Sequence, residues 1–409
     1  MFQRAIQRYV NNFRGFSREI WILTLITFIN RAGTMVFPFL SKYLKEDLHF
    51  TYGQVGTVMM FFGAGSLAGS WIGGKLSDKI GFYKIMVFSL FTTGILFFFM
   101  QYVTTFKGWC AAIFGIMVIA DMFRPAMFVS LGVYAKPENR TRALALVRLA
   151  INLGFAAGPA LGGLIIVYMG YSGLFWADSI SCVLAIIIFW LLVKEKSKKT
   201  TDEETEQENN TVKQIKRRLF KDTVFLLFLF NCFATAFIFF QLFTTQPLYH
   251  KEVYGLTEFH TGLLMSLNGL TVFILEMPLV GYVERKGIPK TKVFVFGTLL
   301  FALSFYVLLI HVWLGILLLG LLLLTVAEMF YFPFSNSFAM GRAPKGREGT
   351  YMAAYTMAFS LAHILSAKTG MTIISKWGYN VNWVFMGTFG LLGVGSLILM
   401  QKLLAEENK

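Results

Sequence analysis

The sequence predicts an all-α, polytopic membrane protein, and three observations predict it: its hydrophobicity, the length of its apolar runs and the placement of its basic residues. Of 409 residues, 56% are hydrophobic and only 14% charged, against about 25% charged in an ordinary soluble domain. A bilayer crossing takes about 20 apolar residues per helix, and the chain divides into twelve such runs. Of the 37 Lys and Arg, 28 fall in alternate connections and the two ends, and only Lys42, Lys45, Lys107, Lys251 and Lys376 in the opposite set. That is the positive-inside asymmetry. It predicts both termini in the cytoplasm, in agreement with an even number of crossings. The formal charge of +15 is thereby assigned to topology, and no basic, aromatic-interleaved groove is left over for nucleic acid.

The twelve segments follow in order. Met1 to Arg18 carries four arginines and no apolar core with a small-residue cleavage site, so it reads as a retained cytoplasmic end. The first segment, Glu19 to Tyr43, holds Asn30 and Arg31. The second, Gln54 to Ile72, and the third, Ile85 to Tyr102, are joined by the turn Gly74 to Lys84. The fourth, Trp109 to Tyr134, carries Asp121 and Arg124, three apart on one helix face. Two readings stand for them: a mutually neutralised pair, or a cavity cluster that Arg31 joins. The fifth, Ala143 to Met169, begins with Arg148 and Asn152 and continues into a glycine-rich stretch. The sixth, Leu174 to Val193, has Asp178 near its outer start, where it is expected to face water.

Lys194 to Asp222 then changes abruptly to Lys-Glu-Lys-Ser-Lys-Lys and an acidic run, the composition of a solvated linker. It divides the chain into an N-terminal six-helix bundle (1–193), a cytoplasmic linker (194–222) and a C-terminal six-helix bundle (223–409). The second half runs Thr223 to Leu248, Phe259 to Tyr282, Val293 to His311, Val312 to Ala339, Thr350 to Ile374 and Asn382 to Gln401. Its eighth segment places Glu276 beside Met277-Pro278, its tenth holds Glu328 and Tyr331, and its eleventh holds His363 and Lys368. A constant shift of 207 residues superposes Gly74 on Gly281, Asp121 on Glu328 and Arg140 on Arg347, which marks the halves as repeats.

Charges inside apolar spans carry the functional information, because each costs at least about 2.5 to 3.5 kcal/mol to insert. Asp121, Glu276 and Glu328 are the candidate proton-coupling carboxylates. Glu328 is the leading one: its repeat mate Asp121 has Arg124 three residues on, whereas Glu328 has Tyr331. Arg31, Asn30, Arg124, Tyr331, His363 and Lys368 are candidates for the substrate cavity. A static structural role is the alternative for each. Cys110, Cys182 and Cys232 lie in apolar runs without metal-ligand or redox spacing and read as packing residues.

Two motifs sharpen this. Gly74-Lys75-Leu76-Ser77-Asp78-Lys79-Ile80-Gly81-Phe82-Tyr83-Lys84 resembles the signature G-x-x-x-D-(R/K)-x-G-(R/K)-(R/K) of the major facilitator superfamily. Gly74, Asp78, Lys79 and Gly81 match, Phe82 and Tyr83 depart, and Lys84 supplies a cation one place late. The resemblance implies a conformational latch. Arg148, near the cytoplasmic end of the fifth segment, reads from its position as a gate anchor, with contact to substrate as the alternative. Gly154-Phe155-Ala156-Ala157-Gly158-Pro159-Ala160-Leu161-Gly162-Gly163 is similar to the motif g-x-x-x-G-P-x-x-G-G of that family's drug:proton antiporter branch. Gly154, Gly158, Pro159, Gly162 and Gly163 read physically as a close-packing seam. Asn30-Arg31 and the Glu328 to Pro333 stretch are also similar to proton-coupled oligopeptide transporters, but Thr27 and Asn30 stand where that family carries acids.

The resemblance implies alternating-access, proton-coupled transport of a small organic molecule, with antiport of amphipathic compounds ahead of symport of peptides or another nutrient. A channel or a receptor is the more distant reading. It implies a monomer in the lipid bilayer of a bacterial-type inner membrane. No nucleotide-binding loop of the form GxxxxGK(S/T) occurs, and no metal, cofactor or enzymatic activity is expected.

Overall fold

The structure, a computed structural model, describes residues 15–135, 140–195, 222–310, 313–343 and 348–407. Among these residues every regular element is helical. The helices are α1 (Arg18–Ala32), α2 (Val36–Lys42), α3 (Tyr52–Ile80), α4 (Phe82–Met100), α5 (Phe106–Ala120), α6 (Phe123–Tyr134), α7 (Arg140–Met169) and α8 (Ser172–Leu192). They continue as α9 (Thr223–Phe239), α10 (Gln241–Thr244), α11 (Gln246–Glu252), α12 (Glu258–Arg285), α13 (Lys290–Val307), α14 (Gly315–Arg342) and α15 (Glu348–Glu407). A π-helical turn, Tyr43–Asp47, follows α2. Among the described residues eleven runs are long and apolar enough to cross a bilayer, which makes this a multi-pass integral membrane protein. The last run, Tyr351–Glu407, spans 57 residues. It is divided at Gly378, whose φ of 81° and ψ of 178° are not helical.

Three expected segments are not single helices. The first breaks between α1 and α2, the fourth between α5 and α6, and the seventh on either side of α10. Three of these four breaks precede a proline: Pro38, Pro125 and Pro247 sit in the opening turns of α2, α6 and α11. A proline ring collides with the carbonyl four residues back, which here belongs to Thr34, Asp121 and Phe243, and it donates no hydrogen bond. Pro159, Pro278 and Pro333 are accommodated inside continuous helices.

The chain forms two compact units. One comprises the described residues of Met1–Phe39, Ala64–Lys199 and Thr257–Leu270. Its core gathers Leu23 and Ile26 of α1, Met86 of α4, Met127 of α6, Val147 of α7 and Phe189 of α8. The helix α7 forms one close-packed seam. A Cβ built at Gly163 would stand 2.8 Å from the Glu258 carbonyl, one at Gly269 would stand 2.8 Å from the Ala156 nitrogen, and Ser266 accepts from the Ala160 N–H. The opening turns of α12 therefore lie directly on the α7 backbone. Close approach of this kind substitutes in a bilayer for the hydrophobic effect, since lipid is as apolar as a side chain.

The second unit comprises the described residues of Leu40–Gly63, Thr200–Leu256 and Thr271–Lys409. Its core is aromatic, with Phe228 of α9 packed against Phe294, Phe338 and Tyr355. At one end, Arg342 forks onto Asp222 at 2.9 and 3.0 Å and onto Glu407 at 2.7 and 2.9 Å, while Asp222 caps α9 through the Phe225 N–H. The three cysteines are buried, and none is in a disulfide.

Candidate functional site

In the first unit the α1–α2 break brings charge into the interior. The last turn of α1 presents Asn30 and Arg31, and α7 closes on them from one side. A Cβ at Gly154 would lie 2.5 Å from the Arg31 Cβ, and one at Gly158 would lie 3.0 Å from the Ala32 carbonyl. The Arg31 guanidinium lies 5.9 Å from the centroid of the Phe155 ring. The expected close-packing seam of the fifth segment is thus a seat for α1 as well as for α12.

Asp121 is the C-cap of α5, at the α5–α6 break, rather than a mid-helix residue. It is reached by Ser66 of α3, whose hydroxyl donates to Asp121 Oδ2. A second glycine seam brings them together. A Cβ at Gly65 would stand 2.5 Å from the Phe114 carbonyl and one at Gly73 would stand 2.5 Å from the Met122 Cα, with Gly69 equally tight against Val118. The G-x-x-x-G-x-x-x-G spacing of Gly65, Gly69 and Gly73 is legible in the sequence and was the signal that could have placed Ser66. Asp121 attracts the Arg31 charge and Arg124 repels it. The Asp121–Arg124 pair read from their spacing does not form. The break between α5 and α6 removes the shared helix face, and Arg124 is exposed. Ser66 and Asp121 thus form a hydrogen-bonded pair in this unit, and Arg31 lies within reach of the Asp121 charge.

The turn motif divides. Gly81 adopts φ 93°, the left-handed region, and is the single residue between α3 and α4. Lys79 and Lys84 are exposed. Nothing lies within 4 Å of a Cβ at Gly74, whereas the residue before it, Gly73, is the one in close helix contact. The side chain of Asp78 lies outside the described residues. Arg148 is exposed near the start of α7.

Asp178, expected in water, is 2% exposed. Its carboxylate accepts the Met35 N–H at 2.8 Å and the Val36 N–H at 3.2 Å. These are amides that the α1–α2 break frees from helical bonding. Sequence position alone places Asp178 near a helix end; the break that recruits it comes from Pro38.

The second unit scatters the remaining candidates. Glu328 is half-buried inside continuous α14, so the repeat mates Asp121 and Glu328 occupy different local structures. Tyr331 does not line a cavity: it is fully buried and donates to Asn231 Oδ1 at 2.5 Å. Glu276 is buried. His363 stacks on Phe240 at 4.1 Å and meets Phe62 edge-on. Lys368 of α15 donates to the Gly53 carbonyl at 2.8 Å and to Thr57 Oγ1 at 2.6 Å, and Gly56 packs on its Cα. Beside it, Glu252 accepts from the phenols of Tyr52 and Tyr379. Sequence reasoning missed Gln241, which is fully buried and ties α10 to α15 through the Ser366 carbonyl and hydroxyl at 2.9 and 2.7 Å.

This arrangement has counterparts. The family model described as Major Facilitator Superfamily matches residues 20–367. The chain belongs to that superfamily. It is a secondary transporter, not an enzyme. Among its relatives in the superfamily is a Na(+), Li(+), K(+)/H(+) antiporter of Planococcus maritimus, 25% identical over 395 residues that cover 89% of this chain and 91% of the relative. Multidrug resistance protein 2 of Bacillus subtilis (strain 168) is 20% identical over 259 residues, 62% of this chain and 63% of the relative. The fold is shared with a solved POT family transporter in complex with a thioalcohol conjugated peptide. The TM-score is 0.77 at 16% identity, over 95% of this chain and 97% of that one.

Proposed function

We infer that the protein is a proton-driven antiporter that exports small amphipathic organic compounds. The observation that carries this reading is a carboxylate and a cation, Asp121 and Arg31, each beside a helix break inside a spanning segment, with Asp121 bonded to Ser66. Ionisable groups at such depth are retained for ion or proton traffic. Glu328 is the principal proton carrier in this reading. It lies in a spanning helix, and a carboxyl that alternates between dry and wet surroundings changes charge as it does so. The sequence halves 1–193 and 223–409 are the two six-helix bundles of a twelve-helix topology with cytoplasmic ends in the inner membrane. Gly81 supplies the tight turn of a cytoplasmic latch.

The test uses proteoliposomes with an imposed pH gradient and ethidium as cargo. Antiport predicts dye movement against the proton flow, abolished by Glu328→Gln. Coupled dye movement that survives Glu328→Gln removes Glu328 from the mechanism. A second reading, exchange of monovalent cations for protons, is favoured by the name of the Planococcus maritimus relative. Sodium-driven proton movement without dye transport would establish it. Accumulation of labelled dipeptide down the proton gradient would overturn both in favour of symport.

A further inference from the structure

We propose that Asp178 is a positioning residue for Arg31, fixing the rotation of α1 so that Arg31 faces the Asp121 side of the unit. The α1–α2 break takes the Met35 and Val36 amides out of helical bonding in a spanning segment, where a buried backbone donor needs a protein partner; the Met35 N–H is shared with the Gly33 carbonyl at 2.8 Å. Asp178, 2% exposed, accepts both, at 2.8 and 3.2 Å. Two further residues of α8 engage the same break. Ser181 lies so close under Gly33 that any side chain there would collide with it, and Cys182 Sγ receives the Asn30 amide at 3.8 Å. Ser181 also donates to the Asp178 carbonyl at 2.9 Å, which holds the α8 contact surface together. From the other flank, Gly154 and Gly158 close on Arg31 and Ala32.

The geometry distinguishes positioning from simple capping. Arg31 is only four residues from Met35, and one residue of helical slip rotates a side chain by about 100°. The seat that satisfies Met35 and Val36 therefore also decides whether Arg31 meets Phe155 and the Asp121 charge. Both oxygens of a carboxyl group can accept, whereas an amide offers one acceptor and sets an N–H against the other donor. Asp178→Asn should consequently release one of the two bonds, while Asp178→Glu keeps both acceptors.

The proposal rests on the reading of Arg31 and Asp121 as the transport site, and its test separates the two. In a Cys110→Ala, Cys182→Ala, Cys232→Ala background, Arg31→Cys reports the rotation of α1 through its rate of reaction with N-ethylmaleimide. Asp178→Asn is expected to change that rate at least threefold and Asp178→Glu to leave it within a factor of two. Gly33→Ala, which drives α8 off the break, should reproduce the change if Asp178→Asn does not yield folded protein. An unchanged rate in the folded Asp178→Asn or Gly33→Ala variant overturns the proposal. In ethidium transport, adding Asp178→Asn to Arg31→Gln should lower the rate less than twofold beyond Arg31→Gln alone, since the carboxylate acts through the arginine. An equal loss in both backgrounds would mark a merely structural role and also overturn it. If Arg31→Gln transports normally while the labelling shift is present, the transport-site reading is lost and the positioning of residue 31 stands.

Discussion

Lys368 reaches from α15 to the beginning of α3, where its ammonium donates to Thr57 Oγ1 at 2.6 Å and to the Gly53 carbonyl at 2.8 Å. Hydrogen bonds to a charged donor contribute about 1.5 to 3 kcal/mol each when shielded, and less with solvent access. Lys368→Met, which keeps the apolar stem, should therefore destabilise detergent-purified protein by about 2 kcal/mol. Thr57→Val should cost about half that. Thermal unfolding midpoints for the two variants check this, and a Lys368→Met midpoint equal to wild type would mean that the contact adds nothing.

The Arg342 fork predicts an acid-sensitive stability. Asp222 lies just ahead of the α9 spanning run. Burial alone raises its carboxyl, but hydrogen bonds from Arg342 and the Phe225 N–H, the Arg342 charge and the Tyr351 hydroxyl outweigh this and hold it below the usual carboxylate range. A group whose pKa is lowered by folding adds stability above its unfolded value, about 3.9, and loses that contribution as pH falls through the folded value. Asp222→Asn should thus cost about 2 kcal/mol at pH 7 through lost cap and fork. The gap from wild type should narrow as pH drops below about 4. A constant gap down to pH 3 would contradict the assignment.

Two glycines give an opposed pair of outcomes. A Cβ at Gly154 would stand 2.5 Å from the Arg31 Cβ and 2.9 Å from the Ala32 nitrogen, whereas nothing lies within 4 Å of one at Gly115. Overpacking costs about 1 to 3 kcal/mol, so Gly154→Ala should destabilise by that amount and impair transport. Gly115→Ala should be neutral or slightly stabilising, because alanine is the better helix former by about 1 kcal/mol. Unfolding midpoints and ethidium transport of both variants provide the comparison.

Asp121 and Arg31 are expected to be energetically coupled. Asp121→Asn leaves the Arg31 charge in a spanning segment without its attracting partner and should lower both stability and transport. Adding Arg31→Gln should restore part of the stability, by about 1 kcal/mol or more, without restoring transport. A double-mutant cycle measures the coupling, and strict additivity would show that the two charges do not interact.

The all-helical membrane fold was legible because burial in lipid forces long apolar runs, and these cannot be disguised. The close approach at α7 was legible because small residues four apart let helix backbones touch, as Gly154 and Gly158 do against α1. What escaped depends on three-dimensional neighbours. Asp121 and Arg124 share a face only if the helix is continuous, and Pro125 breaks it at Asp121. Pro38 and Pro247 carried the same message about their own segments, but Pro159, Pro278 and Pro333 show that a proline alone does not decide. Asp178 became interpretable only once the break gave it two amides to hold. Tyr331, aligned with Arg124 by the repeat, went to the core because Asn231 of α9 offers an acceptor for its phenol. Repetition in sequence did not preserve surroundings.

A single residue, Gly378, stands between the two straight stretches of α15. Its φ of 81° requires glycine, and nothing lies within 4 Å of where a Cβ would sit. The two stretches are therefore joined without slack, like the arms of a bent rod. Axial sliding of either arm would drag the other with it. An epitope tag spliced into this elbow would find no spare chain to graft onto, although the site is open to solvent or lipid. The tolerance of the junction to insertion is governed by chain length rather than by crowding.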